Sequence, residues 1–187
     1  MLGLAAQWLG VNQTQANSVA PILISEEQGR HKSTFCRMLM PPQLARYYSD
    51  NLKLTAQGNP ERLLAEMGLL NMDEFDKFGA QKMPLLKNLM QMSSLNICKA
   101  YQKNFRSLPR IASFIGTSNR TDLLCDPTGS RRFICIEAEH DIDCTGIEHS
   151  QIYAQLKEEL LAGARHWFNK EEEHALQRHN SAYYHVN

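Results

Sequence analysis

The most conspicuous absence in this 187-residue chain is net charge: 20 Lys+Arg stand against 20 Asp+Glu. No apolar run approaches the roughly 18 residues of a membrane-spanning helix. The apolar start MLGLAAQWLGV has no basic n-region and no clear small-residue cleavage site, so it reads as a short helix rather than a signal peptide. Cys36, Cys98, Cys125, Cys135 and Cys144 are odd in number and form no CxxC pair. That excludes a disulfide scaffold, lacks the paired spacing of structural zinc, and suits reduced thiols in a cytoplasmic protein. There is no internal repeat and no low-complexity tract. With 43% hydrophobic and 21% charged residues, the composition is that of a globular domain able to bury a core, not of a disordered chain. Neutrality itself argues at first against a nucleic-acid partner.

Resolved along the chain, the neutrality is a cancellation. Residues 1–136 hold 16 basic and 10 acidic side chains, a balance of +6, and residues 137–187 hold 4 and 10, a balance of −6. The densest basic stretch, 81–110, carries Lys82, Lys87, Lys99, Lys103, Arg106 and Arg110 and no acid. A total of zero therefore says nothing against a polyanionic ligand.

Apolar runs bounded by turn residues predict strands at 21–25, 68–75, 111–117 and 132–138, and RYYSDNL at 46–52 reads as a further strand. Helices are expected at 32–40, closed by Pro41-Pro42, and at 60–67, with Asn59 as N-cap and Pro60 at the first helical position. Further helices are expected at 80–93, 151–164 and 170–180. Residues 95–110 are polar, basic and aromatic and read as a loop or hairpin. Strands alternating with helices indicate an α/β fold with a mostly parallel sheet, whose reactive groups gather at the carboxyl ends of the strands.

Three of those strand ends carry linked chemistry. The first strand is followed by SEEQGRHKST. A phosphate cradle needs inward-turned backbone N–H groups, a lysine for the β- and γ-phosphates and a hydroxyl for Mg²⁺. Lys32 and Ser33 supply the last two at a helix start, within a loop of Gln28, Gly29, Arg30, His31, Lys32, Ser33 and Thr34. The general pattern GxxxxGK[ST] would place glycines where Glu26 and His31 stand. A surface turn before a helix is the competing reading of this segment.

The second strand, LLNMDEFD, ends in adjacent acids. Asp73 would hold Mg²⁺ through water, and Glu74 would orient and polarise the water that attacks ATP. The third, FIGTSN, places the Asn119 amide where it can contact the γ-phosphate or that water. Beyond it, Arg131 or Arg132 of GSRRF can stabilise charge on the transferred phosphoryl group, or serve only as surface cations. Phosphate loop, acidic strand, polar-ended strand and arginine pair, in that order, describe a P-loop ATPase with an extra strand between the first two.

The segments EEQGRHKSTF (26–35), YYSD (47–50), NMDEFD (71–76), LPRIASFIGTSN (108–119) and DPTGSRRF (126–133) resemble the virulence-associated protein E family of phage- and island-encoded proteins, especially its Bacteroides-type members. More distantly they are similar to superfamily 3 helicases and to primase–helicases. The resemblance implies a three-layer, AAA+-like P-loop core, ATP and Mg²⁺ as ligands, a homo-oligomeric ring and action on DNA. By position it assigns Lys32 and Ser33 to Walker A, Asp73 and Glu74 to Walker B, Asn119 to sensor 1 and Arg131/Arg132 to the arginine-finger region. It also implies a hairpin reaching single-stranded DNA through Lys99, Tyr101, Lys103 and Arg106; a solvated basic loop with Tyr101 and Phe105 packed inward is the alternative.

The expected organisation is an N-terminal helix and linker over 1–20, the ATPase core over 21–140 and a small helical C-terminal appendage over 141–187. Function is expected to be ATP binding and hydrolysis within a mobile-element or phage-type DNA replication protein, in contact with other replication segments. The glycine-poor loop leaves open a second reading, a DNA-binding or assembly module without ATPase activity. The chain also reads as a portion of a longer protein.

Overall fold

The structure is a computed structural model describing residues 1–11, 15–98, 105–125 and 130–185. Five parallel strands form the main sheet: β1 (Ala20–Ile24), β2 (Tyr48–Ser49), β3 (Leu69–Met72), β6 (Ser113–Ser118) and β7 (Phe133–Glu137). Their order is β2-β3-β6-β1-β7. Between β3 and β6 in the chain, β4 (Ser94–Cys98) and β5 (Phe105–Pro109) pair antiparallel as a separate ribbon. The α-helices are α1 (Leu2–Leu9), α2 (Lys32–Met38), α3 (Pro60–Glu66), α4 (Met83–Gln91), α5 (His149–Leu161) and α6 (Lys170–His179).

Alternation along each strand sends neighbouring side chains to opposite faces. On one face, Ile22, Ile24, Leu70, Met72 and Phe114 pack with Leu64 of α3 and Met83, Leu86, Leu89 and Met90 of α4. On the other, Leu23, Leu69 and Ile115 meet Leu4 of α1 and Cys36 of α2. Helices therefore cover both faces, as an all-parallel sheet requires. Each fully buried Leu or Ile contributes about 1.5–3 kcal/mol. A third cluster joins Ala5 and Ala6 of α1 to Leu156 and Leu160 of α5, and Trp8 stacks on Tyr153 at 5.5 Å between centroids.

β6 lies between β1 and β3, and Gly116 makes that close approach workable. A Cβ there would sit 2.7 Å from Ile22 Cδ1 and 3.2 Å from the Met72 carbonyl.

Several boundaries differ from the sequence reading. The expected strand at 46–52 shrinks to Tyr48–Ser49, because Pro42 opens a 3₁₀ turn that runs through Tyr47. β6 starts at Ser113 instead of residue 111, because the Ile111 and Ala112 N–H groups both donate to the Leu64 carbonyl. β3 stops at Met72, and Glu74 at φ 52° turns the chain into a 3₁₀ turn at Phe75–Lys77. Asn59 holds the N-cap position of α3 without a side-chain capping bond. On α4, Leu86, Leu89 and Met90 are fully buried while Leu85 is 39% exposed. At α6, Asn169 and Glu172 form a reciprocal capping box that satisfies two orphan N–H groups.

Arg110 corrects a reading based on charge alone. It closes the basic stretch in sequence, yet it is 1% exposed. Its guanidinium donates to the carbonyls of Met90 and Met92 at the end of α4, of Ala112 and of Asn17, and lies 5.3 Å from the Phe114 ring centroid. It caps a helix C-terminus, where unpaired carbonyls favour a cation. Burial pushes its pKa down to about 10, so it remains charged at neutral pH.

Candidate functional site

The carboxyl ends of β1, β6 and β3 stand side by side, and the loop after β1 returns as α2. Lys32 opens α2 and is 7% exposed. Its ammonium donates to Ser25 O at 3.1 Å, to Glu27 O at 3.4 Å and to Asn119 Oδ1 at 3.0 Å. Those three acceptors match the three donors of an ammonium. Burial lowers the Lys32 pKa, and the Asp73 carboxylate pulls it back up.

One residue along, Ser33 Oγ donates to Asp73 Oδ1 at 2.8 Å. Thr117 Oγ1 donates to the same oxygen at 2.6 Å and accepts the Glu74 N–H at 3.2 Å. Ser118 Oγ donates to Asp76 Oδ1 at 3.0 Å, and the Asn119 N–H reaches the same atom at 3.4 Å. The end of β6 is thus laced to the turn after β3. The structure brings Lys32, Ser33, Asp73 and Asn119 together from three separate segments of sequence.

Glu74 is exposed, and its carboxylate pairs with Lys77 at 2.6 Å. An exposed pair of this kind is worth little, so the carboxylate is readily released to another partner. His31 takes φ 59°, the left-handed conformation that glycine provides in the general phosphate-loop pattern. Gly29, at φ 86°, has open space where a Cβ would project. Glu26 accepts from Thr121 at 3.4 Å. Arg30 pairs with Glu27 at 2.7 Å and with Asp141 at 3.6 Å. Gln28 and Thr34 are exposed beside the loop.

Arg131 and Arg132 lie elsewhere. They sit in a 3₁₀ turn before β7, at the amino end of the parallel sheet. The five residues of β7 put roughly 13 Å of strand between them and the carboxyl ends. Arg131 pairs with Glu173 of α6 at 3.4 Å. Lys99, Tyr101 and Lys103 lie outside the described residues, while Arg106 is exposed on β5.

Residues that the sequence reading passed over are Thr117 and Asp76, which hold the acidic turn in place. Their signal was two hydroxyls, Thr117 and Ser118, ending an otherwise apolar strand.

The donor set suits Mg²⁺ with a polyphosphate. Mg²⁺ takes hard oxygens, commonly one or two carboxylates plus substrate phosphates, and here one carboxylate and one hydroxyl converge. Among the described residues, no group of three or more His, Cys, Asp or Glu is placed to hold a metal by itself. Cys36 and Cys135 are buried with thiols pushed up to about 12, which leaves them unsuited to nucleophilic chemistry. No described helix is long and apolar enough to cross a membrane.

The fold is similar to solved structures of the NrS-1 C-terminal region. The apo form of residues 305–718 gives a TM-score of 0.53 at 20% identity, over 96% of this chain and 47% of that one. The A form of the apo region gives 0.49 at 20% identity, over 97% and 39%. The chain spans less than half the length of these relatives. No curated protein matches it. The sequence profile of the virulence-associated protein E-like domain matches residues 10–185, nearly the whole chain, and the chain belongs to that family.

Proposed function

We propose that this chain is an ATP-binding and ATP-hydrolysing P-loop module, AAA+-like in its sheet, of a mobile-element or phage-type DNA replication protein acting in the cytoplasm. One observation carries the reading: consecutive residues Lys32 and Ser33 contact the ends of two different strands, at Asn119 and Asp73. The placement of β6 between β1 and β3 supports it, since an inserted strand is what the order of the motifs calls for.

In this reading Lys32 binds the β- and γ-phosphate oxygens, exchanging one of its three present acceptors for them. The loop 28–34 supplies backbone donors. Ser33 and Asp73 hold Mg²⁺, which when bound neutralises charge on the phosphate oxygens. Glu74 leaves Lys77 to orient the attacking water, and Asn119 contacts the terminal phosphate or that water.

Arg131 and Arg132 point to a homo-oligomeric ring. At the far end of their own sheet they serve a site only on a neighbouring subunit, where a trans arginine stabilises the transferred phosphoryl group. Arg106, with Lys99, Tyr101 and Lys103, is the proposed contact to single-stranded DNA. Cations there would neutralise phosphates and the tyrosine would stack on a base. Residues 1–20, 21–140 and 141–187 serve in this reading as N-terminal linker, ATPase core and helical appendage, and other replication segments act beside them.

A second reading is favoured by His31 in the left-handed position and by a Lys32 ammonium whose donors are all engaged. In it the chain binds DNA or assembles without hydrolysing ATP. Calorimetric ATP titration of wild type and Lys32→Ala separates the two. The first reading expects binding in wild type that is lost in the variant. Absence of binding in wild type, or equal affinity in both, sinks the site assignment.

A further inference from the structure

Thr117 sits in β6 and is 3% exposed. A strand position this buried is served equally well by valine, which has the same shape and no group to desolvate. The hydroxyl is instead bonded twice. It donates to Asp73 Oδ1 at 2.6 Å and accepts the Glu74 N–H at 3.2 Å. One buried side chain therefore fixes the carboxylate of the first acid and the backbone of the second. Glu74 needs such a hold, because φ 52° is an uncommon conformation for a residue other than glycine.

Asp73 Oδ1 has a second donor in Ser33, at 2.8 Å. The two hydroxyls differ in freedom. Ser33 is exposed at the start of α2 and can turn its lone pairs to a cation. Thr117 is β-branched, stiff about χ1 and enclosed by its strand neighbours. When Ser33 turns away, Thr117 remains as the donor that keeps the Asp73 carboxylate in place.

We propose that Thr117 is a positioning residue for the Asp73–Glu74 pair, coupling divalent-cation binding to nucleotide binding. This inference rests on the ATPase reading above. Ser118 and Asn119 hold the same turn through Asp76, so the turn keeps two ties when the Thr117 hydroxyl is removed.

The test is ADP affinity by calorimetry, in EDTA and in saturating Mg²⁺, for wild type, Thr117→Val and Thr117→Ser. The ratio of the two affinities reports cation coupling. Thr117→Val is expected to match wild type in EDTA and to lose about tenfold of the gain that Mg²⁺ gives, the scale seen when partners of metal ligands are removed. Thr117→Ser restores it. An unchanged ratio in Thr117→Val, or equal losses in the valine and serine variants, overturns the proposal. If Thr117→Val does not fold, Thr117→Ala against Thr117→Ser reads the same contrast. Wild type that binds no nucleotide overturns the ATPase reading and this inference with it. Wild type that binds normally beside an unaffected Thr117→Val overturns this inference alone.

Discussion

The Lys32 ammonium and the Asn119 side-chain carbonyl meet at 3.0 Å, joining the first turn of α2 to the end of β6. Eighty-seven residues separate them in sequence. In the proposed site Lys32 turns to the β- and γ-phosphates and Asn119 to the terminal phosphate or the attacking water, so the bond present here is one that nucleotide replaces. Asn119→Ala frees Lys32 from an acceptor without touching its charge. ATP affinity should therefore hold within about threefold, while turnover falls by roughly 10²-fold or more, because the lost contact acts mainly in the transition state. Steady-state kinetics beside calorimetric affinities check this split.

His31→Gly tests the glycine-poor loop. The left-handed conformation costs a non-glycine residue about 1–2 kcal/mol. Glycine removes that cost and adds about 0.5–1 kcal/mol of chain entropy. Thermal stability should hold or rise by up to about 1.5 kcal/mol, and ATP affinity should stay level or tighten. Weaker binding in His31→Gly would mean that the imidazole itself contacts the nucleotide.

Arg110 is a stability residue. Replacing it with methionine leaves the Met90, Met92, Ala112 and Asn17 carbonyls without their donor. Unsatisfied buried groups cost about 1–3 kcal/mol apiece before relaxation. Arg110→Met should lose about 3 kcal/mol or more, seen as a drop of roughly 6–12 °C in melting temperature. Arg106→Met, an exposed change on β5, should leave the melt within about 0.5 kcal/mol of wild type. Equal melts for the two variants would contradict the capping role.

Asp122 ties the C-terminal segment to the loop after β6. Arg120 grips its carboxylate at 2.8 and 2.6 Å, and His185 Nδ1 lies 2.7 Å from Oδ2. The Arg120 bonds first, then His185, hold the carboxyl below the usual range. An acid depressed in the folded state binds fewer protons there than in the unfolded chain. Its contribution is present above the ordinary value near about pH 4 and fades as pH falls through the folded value. Asp122→Asn should melt below wild type at pH 7, with the gap closing in acid. A gap that persists at low pH would assign the effect to packing instead of charge.

Much of this architecture was readable before any coordinates, for physical reasons. β1, β3, β6 and β7 are short apolar runs with polar ends, and that pattern survives without tertiary information. Asp73 and Asn119 stood out because they follow buried runs. β2 was legible only as a longer strand at 46–52; two of those residues join the sheet, because the 3₁₀ turn from Pro42 runs through Tyr47. Arg110 looked like part of a cationic surface. Its acceptors come from residues 17, 90, 92 and 112, a set that only folding assembles. Thr117 was hidden for the same reason: its bond to Asp73 spans 44 residues. The arginine pair was legible as a motif, but its place at the opposite end of the sheet was not.

ATP hydrolysis in Mg²⁺, with and without single-stranded DNA, measured for wild type, Lys32→Ala and Glu74→Gln, tests the central claim most directly. Turnover in wild type should rise with single-stranded DNA. Lys32→Ala should neither bind nor hydrolyse. Glu74→Gln should bind ATP and lose turnover by about 10²–10⁴-fold. Wild type that fails to hydrolyse ATP under both conditions, or a Lys32→Ala variant that keeps full activity, would contradict it.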